Sequence, residues 1–185
     1  MIYWYIINKT NILLRSQKII RLLHIAPERN LQKILKSFSH IEYISGDLNP
    51  LMNCNIRLDI KDMNFEDNFF DVIICNHVLE HVIDDRRAMS ELFRILKPEG
   101  FAILQVPILK NVQKTFEDFS ITTPEDREKY FGQKDHVRIY RQDYIRRLES
   151  VGFKVDLYDV KKDLSIKEIK RLDLNQEEIL YISKK

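Results

Sequence analysis

Asp71-Val-Ile-Ile-Cys-Asn76, residues 84–96 and Phe101-Ala-Ile-Leu-Gln-Val106 follow one another in the middle of the chain. The first and last are short apolar runs. The segment between them carries Met89, Leu92, Phe93 and Leu96 at helical spacing. That order predicts two buried strands of a parallel sheet joined by a crossover helix. The turn-forming Glu66-Asp67-Asn68 leads into the first strand, and acidic residues at 84 and 85 suit a helix N-terminus. Lys97-Pro-Glu-Gly100 is read as the breaker that ends the helix.

The same alternation extends in both directions. Ile19 to Ile25 is a strong first strand, followed by a helix over 28–38 with Leu31, Ile34, Leu35 and Phe38 on one face. Ile41 to Ser45 is a second strand and Asn55 to Asp59 a weaker third, which makes 71–76 the fourth and 101–106 the fifth. A helix over 142–151 stops at Gly152, a sixth strand covers 153–158 and a seventh 178–183. Ile2 to Leu14 reads as an amphipathic helix, and 15–18 as a polar break. Residues 108–137 are polar and poorly periodic, longer than a connector requires, and are assigned to a substrate lid. Only about ten and about twelve residues link strands two to three and three to four, close to the minimum for a crossover. The sheet should therefore be thinly covered near strand three, with the N-terminal helix (residues 1–20) as cover. There is no internal repeat or linker, and 1–185 reads as one domain.

Composition narrows the function. The 185 residues are 44% apolar and 31% charged, a globular balance. Thirty Lys and Arg against twenty-eight Asp and Glu leave a net charge of +2, too even to favour nucleic acid or a membrane surface. The two cysteines, Cys54 and Cys75, form no CxxC pair, which excludes a disulfide scaffold and a thiolate zinc site. The apolar start Met1 to Ile7 is broken at Asn8 and lacks a basic leader and a cleavage site. A soluble, cytoplasmic chain is expected, of unspecified oligomeric state. Tyr3-Trp4-Tyr5 is assigned to core packing, Cys75 to an inert strand position, and 161–178 to a solvated helix and loop.

Ligands of an open parallel sheet bind beyond the carboxyl ends of its strands. Those ends are His24-Ile-Ala-Pro-Glu28, Gly46-Asp-Leu-Asn-Pro50, Asp59-Ile-Lys-Asp62 and Asn76-His-Val-Leu-Glu-His81. A carboxylate after strand two can accept from both hydroxyls of a ribose, and Asp47 stands there. On position alone, a turn-forming Asp before an Asn-Pro helix start is an equal reading.

The segment Phe65 to Val82, followed by Glu91-Leu-Phe-Arg-Ile-Leu-Lys-Pro-Glu-Gly100, resembles the class I S-adenosylmethionine-dependent methyltransferases of the type 11 kind. The likeness runs from about Leu22 to Val155. Thr115 to Arg127 and Phe131 to Tyr140 are similar to a narrower bacterial subfamily, whose members often carry a Cys-rich segment that this chain lacks. The resemblance implies an α/β, Rossmann-like sheet of order 3-2-1-4-5-7-6 with strand seven antiparallel and helices on both faces. It implies S-adenosylmethionine as cofactor, with Asp47 on the ribose and Leu48 beside it. Asp59 falls near the adenine, with Ile60 and Met63 as apolar neighbours, and Asn76 and His77 fall near the methionine part. The family's Gly-rich turn is replaced here by His24-Ile-Ala-Pro-Glu28. Ala26 keeps one small position, Pro27 removes an N–H, and Glu28 is assigned to the cofactor's amino group.

The transferred methyl needs alignment more than covalent help, and an oxygen or nitrogen acceptor adds the need for a base. Among the five histidines, His136 is the expected base, with Asp135 or Arg138 positioning substrate; a loop-anchoring His136 is the competing reading. His40 is assigned to solvated surface, His24 to a structural role, and His81 to packing or pocket lining. His77 and His81 share helical spacing, but no third ligand is evident from the sequence, so no metal is expected. The acceptor is expected to be a small molecule or sugar. The alternatives are a catalytically silent binding module that has lost the cofactor through its Ala-Pro-Glu turn, and a nucleotide-sugar or dinucleotide enzyme on a similar sheet, against which the missing GxGxxG counts.

Overall fold

The computed structural model describes residues 1–14, 18–49, 54–109 and 112–185. The polar break at 15–17, the Pro50 of the Asn-Pro helix start and lid positions 110 and 111 lie outside the described residues.

Seven strands form one sheet: β1 (Ile20–Ile25), β2 (Ile41–Asp47), β3 (Ile56–Arg57), β4 (Phe70–Asn76), β5 (Leu96–Gln105), β8 (Lys154–Asp159) and β9 (Ile179–Lys184). Their order is β3-β2-β1-β4-β5-β9-β8, and the last two run antiparallel to their neighbours. Two short lid strands, β6 (Phe116–Glu117) and β7 (Arg138–Ile139), pair separately. With those two set aside, the order is the one implied by the family resemblance.

The apolar runs are continuous because both faces of the sheet are covered. Leu22, Val72, Ile74 and Ile103 point to one face; Leu23, Ile73, Cys75, Ala102 and Leu104 point to the other. The first face receives Ile2 and Ile6 of α1 (Ile2–Lys9) and Leu31 and Leu35 of α2 (Arg29–Leu35). The second receives Ala88, Met89, Leu92 and Ile95 of α3 (Asp85–Ile95), with Tyr144 and Leu148 of α5 (Tyr144–Glu149). Asp84 caps α3 by accepting from the Arg87 amide at 3.1 Å.

Several boundaries depart from expectation. α1 ends at Lys9, not Leu14: Thr10 turns to extended backbone and its hydroxyl donates to the Ile6 carbonyl. Its aromatic contacts lie on β5 and β8, at the opposite side of the sheet from β3, with Trp4 stacked on Tyr158 and Tyr5 edge-on to Phe101 and Tyr158. Lys97-Pro-Glu-Gly100 does not form a separate turn but opens β5. Leu96 pairs with Phe70, and a register irregularity follows before Val72 meets Phe101. Gly100 is needed there, because a Cβ would lie 2.7 Å from the Asp71 carbonyl oxygen. The lid contains a helix that its lack of apolar period concealed, α4 (Pro124–Phe131). It is specified by its ends: Thr123 accepts from the Asp126 amide, Pro124 starts the helix, and Gly132 closes it at φ 87°. The remaining helix, α6 (Ile166–Arg171), carries a capping box between Ser165 and Glu168. Among the described residues, no helix is long and apolar enough to cross a membrane.

Candidate active site

The strand ends of β1 and β4 meet at one carboxylate. Ala26 adopts left-handed backbone (φ 47°), and its amide donates to the Gly46 carbonyl at 2.9 Å. The turn thus keeps a conformation that normally favours glycine, a strain of about 1–3 kcal/mol of the kind concentrated at functional sites. Glu28 then stands at the N-cap of α2, but its side chain does not cap the helix. It reaches across the rim instead. Its Oε2 lies 2.7 Å from Nε2 of the buried His24, and its Oε1 accepts from Asn76 Nδ2. The other His24 nitrogen lies 2.9 Å from the Tyr43 hydroxyl. Burial raises the Glu28 pKa, but the hydrogen bonds from His24 and Asn76 outweigh it and hold the carboxyl below its usual range. His24 is structural, as expected, yet its partner is a rim residue.

β2 and β3 contribute the next carboxylates. Asp47 ends β2, and its Oδ1 accepts from the Asn49 amide at 2.8 Å. Its carbonyl accepts from the Leu58 amide at 2.9 Å, which brings the start of the Asp59 turn beside it. Asp59 in turn accepts from the Lys61 amide. Both are therefore Asx-turn residues with part of the carboxylate still accessible, so the turn reading and the ligand reading coexist. Leu48 is 62% exposed at this rim, whereas Ile60 and Met63 are buried in the core around α3.

Asn76 and His77 face two adjoining clefts. One, of 240 Å³, is lined by Glu28, Leu31, Ile34, Asn76, Tyr3 and Glu178. The other, of 460 Å³, is lined by His77, Gln105, Pro107, Ile108, Glu178 and Tyr181. Glu178 belongs to both. Asn76 Oδ1 is buried without a partner among the described residues, as is Gln105 Oε1. His77 takes left-handed backbone (φ 54°), and its Nδ1 lies 3.2 Å from Glu80 Oε1. That hydrogen bond raises the His77 pKa against the lowering effect of burial.

The lid residues are placed differently from their expected roles. His136 lines neither cleft: it is 6% exposed, its Nδ1 lies 3.3 Å from the Phe131 carbonyl, and its ring packs edge-on to His81. Burial and the neighbouring His81 push its pKa down. Arg138 is 1% exposed and lines a third cleft, of 410 Å³, with Asp85, Glu117 and Arg147, away from the other two. It donates to the carbonyls of Leu79, Val82 and Ile83 and to Glu117, fastening the lid to the turn after β4. Asp135 is exposed and pairs with His81 at 3.3 Å. His40, expected at the surface, is buried with Nε2 2.9 Å from the Ile12 carbonyl. Sequence reading missed the network around Arg138, in which Asp85 of α3, Glu117 of β6 and Tyr140 meet Arg138, and Arg147 of α5 shares the two carboxylates. Asp85 sat in view as an acid at a helix start, and nothing in its neighbourhood marked it as buried.

A parallel sheet closed by an antiparallel hairpin, with acceptor groups gathered along its upper rim, defines the class I methyltransferase fold. Residues 26–104 match the family described as the methyltransferase domain, and the fold is the one those enzymes use. It is similar to the ubiquinone/menaquinone biosynthesis C-methyltransferase UbiE of Vibrio cholerae, 24% identical over 116 residues that cover 56% of this chain and 45% of that protein. It is also similar to an uncharacterized protein of Methanocaldococcus jannaschii, 34% identical over 95 residues covering 48% and 41%. The chain thus spans less than half the length of these two relatives. Among solved structures it resembles a SAM-dependent methyltransferase from Archaeoglobus fulgidus, with a TM-score of 0.58, 17% identity and coverage of 90% and 86%. A putative methyltransferase from Bacillus halodurans superposes with a TM-score of 0.57 at 15% identity, covering 94% and 95%.

Proposed function

We propose that this chain binds S-adenosylmethionine along the β1–β2–β4 rim and directs its methyl group to a small-molecule or sugar-like acceptor in the cleft at His77. One observation carries the reading: Glu28 spans the ends of β1 and β4 beside the unpartnered Asn76 Oδ1. With Asp47 further along the rim, this is a set of hydrogen-bond acceptors and negative charges. It suits a ligand that presents an ammonium group, ribose hydroxyls and a positive sulfur.

Bound there, the cofactor would supply an electrophilic methyl group on a sulfonium. The chain's own contribution is alignment. Glu28 and Asn76 would hold the amino-acid end, and Asp47 the ribose. Asp59 and Leu48 would border the adenine, with Ala26 letting the backbone come close. His77, held through Nδ1 by Glu80, projects its ring into the larger cleft and would orient the acceptor. His136, packed against His81, fits a positioning role better than that of a base. The adjoining clefts would hold donor and acceptor on either side of the β4 end, as an in-line transfer requires.

The alternative, a silent binding module, draws support from one feature: both Glu28 oxygens already have partners within the chain. Isothermal titration of the full chain with S-adenosylmethionine separates the two. Saturable binding in the micromolar range is expected, and no heat at millimolar cofactor would establish the silent module.

A further inference from the structure

Among the described residues, Glu80, His81 and His136 each offer one ligand atom within 4.8 Å of the others. His81 and Glu80 lie on the short 3-10 turn Leu79–His81 after β4, and His136 comes from the lid, delivered by the Val137 amide donating to the Glu80 carbonyl at 3.0 Å. We propose that these three side chains form a binding site for a divalent transition metal, zinc being the natural occupant of a two-imidazole, one-carboxylate set.

The hydrogen bonds around the cluster sort its atoms into two groups. His81 Nδ1 lies 3.3 Å from both the Asp135 carbonyl and Asp135 Oδ2, and His136 Nδ1 lies 3.3 Å from the Phe131 carbonyl. Each Nδ1 therefore faces an acceptor, which leaves Nε2 as the ring atom available to a metal. That is how carbonyls and carboxylates commonly orient metal-binding imidazoles. Glu80 divides in the same way. Its Oε1 meets His77, while Oε2 is buried without a partner among the described residues, in a side chain only 1% exposed. An orphaned carboxylate oxygen at that depth costs roughly 1–3 kcal/mol or more. A cation facing two free imidazole nitrogens would remove that cost.

Ligands about 2.0–2.2 Å from a tetrahedral zinc stand roughly 3.3–3.5 Å apart, so small side-chain rotations close the present spacing. Three protein ligands leave a fourth position for water. The expectation of no metal rested on the missing third ligand beside the His77 and His81 pair. Folding replaces His77 with Glu80 and adds His136. The site would tie the lid to the β4 turn and fix Glu80, and through it His77, at the edge of the larger cleft. It does not depend on the methyltransferase reading, and its test needs no cofactor.

The test is zinc binding to the full chain after chelator dialysis, read by titration calorimetry, elemental analysis and thermal melting. One zinc per chain and a higher melting temperature are expected. His136→Gln and Glu80→Gln should each weaken binding more than tenfold, which corresponds to about 1.4 kcal/mol. Failure of zinc to bind stoichiometrically, or equal affinity in His136→Gln, would overturn the proposal. If a variant fails to fold, cobalt(II) bound to the unaltered chain decides. An intense visible spectrum of low-coordinate cobalt supports the site, and the pale spectrum of the hydrated ion refutes it.

Discussion

The rim at Glu28 and the lid anchor at Arg138 are built from the same residue types and put them to opposite uses. At the anchor, Arg138 and Arg147 are paired with Asp85 and Glu117, and Tyr140 adds its hydroxyl to Asp85 at 2.6 Å. Charge is balanced there, and most donors end on protein. At the rim, among the described residues, Glu28 meets a histidine and an amide, Asp47 Oδ1 accepts from a turn amide, and Asp59 has a half-exposed lysine at 3.6 Å. A balanced, buried network holds a segment in place; an unbalanced, partly open one suits a charged ligand. Burial and partner, not residue type, decide which is which.

This contrast can be broken by substitution. Arg138→Ala should have the largest effect, because it takes the guanidinium donor from the carbonyls of Val82 and Ile83 and one of two arginines from Asp85 and Glu117. A loss of about 3–5 kcal/mol in denaturant unfolding is expected, and a loss under 1 kcal/mol would show that the anchor is not structural. Asp47→Ala should weaken S-adenosylmethionine more than about tenfold, roughly 1.4 kcal/mol, with little change in unfolding. Unchanged affinity would remove the ribose assignment. Thr123→Ala removes the α4 cap and should cost about 1 kcal/mol or less, read as faster amide exchange confined to the lid.

The smallest effect is in pH. Burial raises the Glu117 pKa, but Arg147 and Arg138 outweigh it and hold it low. The unfolded chain therefore binds the proton more readily than the folded one. The stability this contributes is complete above the ordinary glutamate range near about 4.3 and is lost as pH falls through the lower folded value. Glu117→Gln should flatten the acid limb of the stability curve. Glu28→Gln should flatten it less, since Glu28 has no arginine partner; an equal effect would erase the distinction between the two regions.

Much of this was legible along the chain, and the failures have physical causes. Strand positions were readable because a doubly covered sheet demands unbroken apolar runs, as in residues 71–76. α4 was missed because it buries only Phe131 and so has no apolar period, although Thr123, Pro124 and Gly132 spell its ends. His40 was assigned outward because a polar residue before a strand is normally solvated, and the carbonyl that satisfies it belongs to the N-terminal segment.

Local order was therefore set by the sequence on its own: the alternation of strand and helix, the carboxylates at 28, 47 and 59 beyond the strand ends, and the family they resemble. Tertiary structure alone decided the partnerships. Glu28 turns from its helix to join His24 and Asn76, Arg138 vanishes beneath the lid, and His136 arrives beside His81 and Glu80. Secondary structure follows from periodicity within a few turns of chain. The protonation, exposure and ligand capacity of a side chain depend on neighbours that only long-range packing supplies.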